Sequence, residues 1–244
     1  MNGIFTTFSG KAANEIKLDI IANNLANALT AGFKASSPAF DSDLIEGGPE
    51  PDRLPAAYVN IPDSYIQFSD APLAQTGNIF DLALLGNGFF AVSTPQGRRY
   101  TRNGQFTLDS EKKLITQDGS AVVGENGGDI TIEGSQGGKD IKIEKDGSIW
   151  VDKLFVDKLK IVDFADRKAL KYAGTSLFTN TDINNEEAPA SGYSVAQGAY
   201  ETSNVNVMKE MVNMMTAMRA YESYTQVDQN MADMLDKLID LGRF

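Results

Sequence analysis

All eight prolines of this chain lie within residues 38–189, so neither end contains the residue that most strongly breaks a helix. At the N-terminal end, apolar residues recur at steps of three and four through Leu18, Ile21 and Leu25, which is the period of a helix. This pattern predicts a helix over residues 4–29.

The C-terminal end has a stronger helical pattern, over residues 206–241, with Asn206 as the predicted N-cap. Two apolar seams run along it. The first consists of Val207, Met211, Met214, Met218, Tyr221, Thr225, Asp228, Ala232, Leu235 and Ile239. The second consists of Ala217, Ala220, Tyr224, Val227, Met231, Met234, Leu238 and Leu241. One partner helix does not cover a face this wide, so we expect other copies of the chain to cover the remainder.

Between the ends, the apolar period changes to two and turn dipeptides separate the apolar runs. Asn103-Gly104, Asp118-Gly119 and Asp146-Gly147 each lie between two such runs, which predicts a series of antiparallel hairpins over residues 80–195. The stretch 36–76 contains six of the prolines and is predicted to be extended.

The predicted fold class is α+β. The N- and C-terminal helices are expected to pair as a coiled-coil-like hairpin that carries an inserted antiparallel β-rich domain. The predicted division of the chain is an N-terminal helix over 1–36, an extended connection over 37–79, a β-rich domain over 80–195 and a C-terminal helix over 196–244.

Composition excludes several function classes. The chain has no cysteine and no histidine, which removes thiolate nucleophiles, Ser-His-Asp triads and His-containing zinc sites. The net charge is -11 and Lys and Arg form no cluster, so nucleic acid is not expected as a partner. No run approaches the roughly 18 consecutive apolar residues of a membrane span. We predict no catalytic, cofactor or metal site, no membrane insertion and no cleaved signal peptide.

Several motifs together resemble those of the bacterial flagellar rod and hook protein family. They occupy both terminal helices and the middle of the chain, so the resemblance covers nearly its whole length. The segments that carry it are residues 18–27, 30–34, 75–78, 81–84, 86–90, 100–104, 203–207, 210–212 and 219–222.

The resemblance implies a structural subunit of the flagellar basal-body rod, which polymerises through its terminal helices and transmits torque from motor to hook. Implied partners are other copies of this chain, other rod proteins including hook-side rod subunits, and the flagellar type III export apparatus. The implied location is the rod where it crosses the periplasm. The short length favours a proximal rod member of the family, with a distal rod member as the close alternative.

The residues expected to mediate subunit assembly lie on the two terminal helices. The amides of the asparagines are interpreted as hydrogen-bonding across subunits, and the Arg219–Glu222 spacing fits either an exposed ion pair or a contact that selects the neighbour. The complete set is Leu18, Ile21, Asn23, Asn24, Leu25, Asn27, Met211, Met214, Met218, Arg219, Tyr221, Glu222, Leu235 and Ile239.

Two other functions remain open from the residues alone. A non-flagellar binding or fibre module with a helical stalk would share the helices but should lack the paired terminal motifs. A cell-wall hydrolase would need two carboxylates at a catalytic spacing, and no spacing of Asp and Glu in the sequence singles out such a pair.

Overall fold

The computed structural model describes residues 2–39, 41–44, 57–60, 64–133 and 140–241, and within these it does not describe the side chains of 2–9, 41–44, 57–60, 235–236 and 238–241. Two long helices lie at the ends of the chain, α1 over Asn2–Ala26 and α2 over Val207–Leu241. The predicted N-cap of α2 is confirmed, because Asn206 Oδ1 accepts a hydrogen bond from the Lys209 amide at 3.1 Å.

Twenty strands are described between the helices, together with a 3-10 turn over Arg167–Ala169. In chain order the strands are β1 Ser36–Pro38, β2 Asp41–Leu44, β3 Ala57–Asn60, β4 Ser64–Ile66, β5 Leu73–Gln75, β6 Leu82–Gly86, β7 Phe89–Thr94, β8 Gly97–Thr101, β9 Phe106–Leu108, β10 Leu114–Thr116, β11 Ala121–Val122, β12 Ile141–Ile143, β13 Ser148–Val151, β14 Leu154–Lys158, β15 Ile161–Asp163, β16 Leu170–Tyr172, β17 Leu177–Asn180, β18 Ala188–Pro189, β19 Tyr193–Gln197 and β20 Ala199–Glu201.

The chain forms two compact units. The helical unit contains Met1–Ala26, Ser36–Tyr65 and Asn206–Phe244, and the β-rich unit contains Asn27–Ala35 and Ile66–Val205. Each unit is therefore assembled from segments that are far apart in the sequence. The finer division into segments that the sequence suggested stays a prediction.

Within the helical unit, α1 and α2 lie against each other, but the predicted coiled-coil-like hairpin is wrong. Coiled coils bury an apolar seam from both helices, whereas Met211 and Met218 of the predicted seam remain about half exposed. Among the described side chains of α2, only Ala217 is fully buried. The described contacts between the helices include a close approach of Gly10 to the Tyr224 ring and an ion pair between Lys11 and Asp228. The α+β description with an antiparallel β-rich insert is retained.

The β-rich unit is built around one large antiparallel sheet. Its main strand order is β16-β17-β8-β7-β11-β10-β9, and β15 joins it by pairing with β7 and β18. A three-stranded sheet follows the order β12-β13-β14. Strands from the two ends of the unit also pair, β19 with β6 and β20 with β5. The last strands of the unit are therefore needed to complete pairings with its first ones.

Two of the three predicted hairpins are confirmed. Asp118-Gly119 connects the paired strands β10 and β11, and Asp146-Gly147 connects β12 and β13. The hairpin predicted at Asn103-Gly104 is wrong, because β8 pairs with β7 and β17 while β9 pairs with β10. Gly104 instead packs against the backbone of Leu82, whose amide donates a 2.9 Å hydrogen bond to the Gly104 carbonyl.

Strand β7 contributes to both cores of the β-rich unit because its side chains alternate between two faces. Phe90 and Val92 belong to a mainly aliphatic cluster, while Phe89 and Ala91 belong to one that is rich in aromatic rings. In the aromatic cluster, the Phe89 ring lies 5.7 Å from that of Phe178 at an interplanar angle of 68°. Edge-to-face packing of this kind favours one arrangement of the rings over others.

Candidate assembly surface and a buried charge cluster

One face of α2 carries a row of exposed apolar side chains, which we name the methionine stripe. Met208, Met211, Met215 and Met218 are 74%, 49%, 53% and 50% exposed, and Val212 lies among them. Steps of three and four place all five on one side of the helix. A continuous exposed apolar strip of this length is uncommon on a protein surface that has no partner.

The side of α2 next to the stripe contacts α1. Lys11 Nζ lies 3.8 Å from Asp228 Oδ2 and 5.4 Å from the centroid of the Tyr221 ring. Gly10 permits a close approach, since a Cβ there would lie 2.8 Å from the Tyr224 ring. Each predicted seam of α2 is therefore covered only in part. In the second seam Ala217 is buried, whereas Val227 and Met234 are exposed. In the first seam Tyr221 is half-buried, whereas Met211 and Met218 are exposed.

The predicted assembly residues fall into distinct environments. Some are wholly or partly covered within their own unit, and others face solvent. The buried or half-buried ones are Leu18, Ile21, Asn24, Leu25, Asn27, Met214 and Tyr221, and the exposed ones are Asn23, Met211, Met218, Arg219 and Glu222. The side chains of Leu235 and Ile239 lie outside those described. Participation of this set in contacts between subunits stays a prediction.

Asn24 is the most constrained of these residues. Its Nδ2 donates to the Ser36 carbonyl and its Oδ1 accepts from the Ser36 amide, each at 2.9 Å. This pair of bonds joins the last turn of α1 to the first residue of β1 within the helical unit. Both polar ends of the Asn24 amide are thus engaged inside one chain.

Replacing Asn24 with leucine is expected to destabilise the helical unit by about 2 kcal/mol, because the Ser36 amide and carbonyl lose these partners at a buried position. Hydrogen exchange at the Ser36 amide should accelerate by about an order of magnitude or more. Asn230→Leu makes the same replacement at an exposed position of α2 and should leave that amide unchanged. Equal exchange rates in the parent and Asn24→Leu would contradict the expectation.

In the β-rich unit, three charged side chains form a buried cluster. Lys34 Nζ lies 2.6 Å from Glu201 Oε1, with 1% of the lysine side chain and 2% of the glutamate side chain exposed. Arg102 Nη1 lies 3.5 Å from the other oxygen of Glu201. Two cations thus share one carboxylate, which is sustainable in the interior only if the remaining polar atoms have partners.

Backbone groups supply most of those partners. Lys34 Nζ donates to the Ser69 carbonyl at 2.6 Å, and the Ala71 amide donates to Glu201 Oε1 at 3.0 Å. Arg102 donates to the carbonyls of Leu84 and Gly86 at 3.2 and 2.8 Å. Burial lowers the pKa of the Lys34 ammonium from its ordinary value, although the charge of Glu201 acts in the opposite direction.

Asn204 reinforces the same region. Its Oδ1 accepts from the Ala35 amide at 2.6 Å, and its Nδ2 donates to the Gln67 carbonyl at 2.8 Å. The Gly32 amide donates to the Glu201 carbonyl at 2.8 Å. Hydrogen bonds therefore join the residues that follow α1 in the sequence to the residues that precede α2, within the β-rich unit.

Sequence reasoning did not assign a role to Lys34, Arg102, Glu201 or Asn204. Lys34, Arg102 and Asn204 lay inside motifs that were noted only as family signatures. The sequence contains one indication that these charges are buried. Lys34 directly follows the apolar residue Phe33, and Arg102 follows the strand residues Tyr100 and Thr101. What could not be read from the sequence was that these charges meet.

Three family models match separate parts of the chain. One, described as flagella basal body rod protein, matches residues 6–34; one, described as flagellar hook protein FlgE/F/G D1 domain, matches 83–151; and one, described as flagellar basal body rod FlgEFG protein C-terminal, matches 196–241.

Whole-chain relatives agree. The flagellar basal-body rod protein FlgF of Caulobacter vibrioides is 32% identical over 244 residues, covering 99% of this chain and 98% of the relative. This chain belongs to the flagellar basal-body rod protein family. FlgG of Buchnera aphidicola from Acyrthosiphon pisum is 32% identical over 258 residues, with 96% of each chain covered. FlgG of Bacillus subtilis is 29% identical over 270 residues, with both chains covered completely.

As a member of this rod family, the chain is a structural subunit of the flagellar basal-body rod, and it assembles with other rod components. Its buried charge cluster draws one residue from each matched segment: Lys34 from 6–34, Arg102 from 83–151 and Glu201 from 196–241. The family's three sequence blocks therefore meet at one point of the fold.

Two further observations concern the described residues. None of their helices combines the length and apolar character needed to cross a membrane. Within the same part of the chain, no group of three or more Asp, Glu, His or Cys residues is arranged to hold a metal ion.

Proposed function

We propose that the methionine stripe of α2 is the surface through which this rod subunit packs against its neighbours. The observation that carries the proposal is the row of apolar side chains from Met208 to Met218, each about half exposed or more, in a subunit of a polymeric rod. Covering a half-exposed Met contributes on the order of 1 kcal/mol. Flexible thioether side chains also suit neighbours that differ slightly in shape.

The proposal extends to the role of the subunit in the rod. A shaft that transmits torque from motor to hook needs subunits that resist sliding, and a contact distributed along a helix offers that resistance. No reaction is assigned to the chain. We also propose export through the flagellar type III apparatus, a place in the rod as it crosses the periplasm, and contact with hook-side rod subunits, all of which rest on the family relationship alone.

Among rod positions, a FlgF-type place in the proximal rod is favoured. The alignment with the Caulobacter FlgF spans 244 residues, the length of this chain, whereas that with the Bacillus FlgG spans 270 and so requires insertions. Chain length is also the feature of the sequence that favours a proximal rod position. A FlgG-type distal position is the alternative.

When a gene that encodes Met211→Lys replaces the parent gene in the source bacterium, we expect the swimming-halo diameter to fall to about half or less. Assembly of this variant would bury an unpaired ammonium group. Swimming-halo diameter and the amount of the chain in purified basal bodies are the measurements. Because Met211 is half exposed in the free subunit, the thermal unfolding midpoint of the variant should differ little from that of the parent.

The matched control is Ile183→Lys, which places the same charge at an apolar residue that is 94% exposed in the β-rich unit. It should swim like the parent. A Met211→Lys, Met215→Lys double variant that swims and assembles normally would overturn the assignment of this surface.

A further inference from the structure

The sulfur atoms of this chain are concentrated on one element. The sequence has no cysteine and eight methionines, and all of these except Met1 lie on α2. Oxidation at sulfur, whatever its source, can therefore act only on thioethers, and almost entirely on one helix. Such oxidation turns a flexible apolar side chain into a polar one and disrupts interfaces that are rich in methionine.

The methionines of α2 have two kinds of environment. The four in the methionine stripe are at least about half exposed, as is Met234. Met214 and Met231 are only partly exposed. Because an oxidant must reach the sulfur atom, the exposed methionines should react first, and Met214 serves as an internal reference beside them.

We infer that the methionine stripe is a site of reversible oxidation by peroxides, and that its oxidation keeps an unassembled subunit out of the rod. This inference rests on the proposed packing role of the stripe. The same four side chains that are open to solvent in the free chain would be covered by neighbours after assembly. The sensitive period is therefore the interval before a subunit joins the rod.

The chemical step involves only the thioether and the peroxide. A sulfur lone pair attacks one oxygen of hydrogen peroxide, the S–O bond forms and the O–O bond breaks. The departing hydroxide takes up the proton that the transferred oxygen releases and leaves as water. Sulfur is oxidised by two electrons and the peroxide is reduced by two. Methionine sulfoxide reductases, which draw on thiol reductants, restore the thioether.

A sulfoxide in the stripe opposes packing because its oxygen is a strong hydrogen-bond acceptor. The stripe itself offers only thioether and aliphatic groups, from Met208 through Val212 to Met218. An apolar neighbour would bury that oxygen without a donor, which carries a free-energy penalty. Each oxidised methionine should weaken docking, and oxidation at several positions should weaken it further.

The first test treats the purified full-length chain with hydrogen peroxide and follows each methionine by peptide mass spectrometry. The four methionines of the stripe should each oxidise at least about three times as fast as Met214. Comparable rates at Met214 and at the four stripe positions would overturn the inference.

The second test exposes growing cells to sublethal peroxide and compares two pools of the chain, one in basal bodies assembled afterwards and one unassembled. The oxidised fraction at the stripe should be about tenfold lower in basal bodies than in the free pool. A variant with leucine at all four stripe positions should enter basal bodies equally well with and without peroxide.

Equal oxidised fractions in the two pools would overturn the inference while leaving the packing role intact. Failure of the packing role has a different signature, namely normal assembly of the Met211→Lys, Met215→Lys double variant. The two ideas can therefore fail separately.

Discussion

Replacing Glu201 with glutamine is expected to lower the free energy of unfolding of the β-rich unit by about 3–5 kcal/mol. The substitution preserves shape but leaves the Lys34 ammonium and the Arg102 guanidinium buried together without the carboxylate that pairs with both of them. The single tryptophan of the chain, Trp150, lies in this unit and reports its unfolding in denaturant by fluorescence. Glu186→Gln, at an exposed position of the same unit, is the matched control and should change stability by less than about 0.5 kcal/mol.

The loss of stability caused by Glu201→Gln should become smaller as the pH rises. Burial already lowers the pKa of Lys34, so between that lowered value and 10.5 the unfolded chain binds more protons than the folded one. Stability from this group therefore rises with pH. Without Glu201 the pKa should fall further, so the deficit should be smaller at pH 10 than at pH 7. If the free energy of unfolding of Glu201→Gln lay within about 1 kcal/mol of that of the parent at both pH values, the charge cluster would not stabilise the β-rich unit as we expect.

Gly104→Ala is expected to be at least as damaging, with a loss of about 4 kcal/mol or more. A Cβ at this position would lie 1.6 Å from the carbonyl oxygen of Leu82, which is a backbone atom held in strand β6. Neither backbone can move aside easily, because the Leu82 amide is hydrogen-bonded to the Gly104 carbonyl. Denaturant unfolding followed by Trp150 fluorescence measures the effect.

Gly128→Ala separates this close contact from a general effect of replacing glycine. No atom outside its immediate neighbours lies within 4 Å of a Cβ at Gly128. That variant should unfold within about 1 kcal/mol of the parent. Equal stability of Gly104→Ala and Gly128→Ala would contradict a close contact between Gly104 and the Leu82 backbone.

Local features of the fold could be predicted from the sequence. The two helices have uninterrupted periods, and the turns at Asp118-Gly119 and Asp146-Gly147 join neighbouring runs. Asn103-Gly104 has the same local signal but a different structure, because distant contacts decide it. Asn103 Oδ1 accepts from the Gln105 amide in a local turn, and Gly104 is required by its close approach to Leu82.

The candidate site was harder to predict for two reasons. Periodicity identifies the apolar faces of α2 but does not indicate which face a partner within the chain covers, so exposed Met211 and covered Ala217 could not be told apart. The charge cluster joins Lys34, Arg102 and Glu201, which lie far apart in sequence and become neighbours only through the fold. Their spacing along the chain gives no period from which the contact could be inferred.

The pairing of β5 with β20 and of β6 with β19 also constrains the order of folding. Ala199 to Glu201 pair with Leu73 to Gln75, so this pairing of β5 cannot form until the last strand of the β-rich unit exists. Contacts between such distant residues require a long loop to close before any stabilisation is gained, which slows folding. A chain released residue by residue from its N-terminus therefore cannot complete this unit until Glu201 has emerged. The arrival of the final strand sets the earliest moment at which the unit can become rigid.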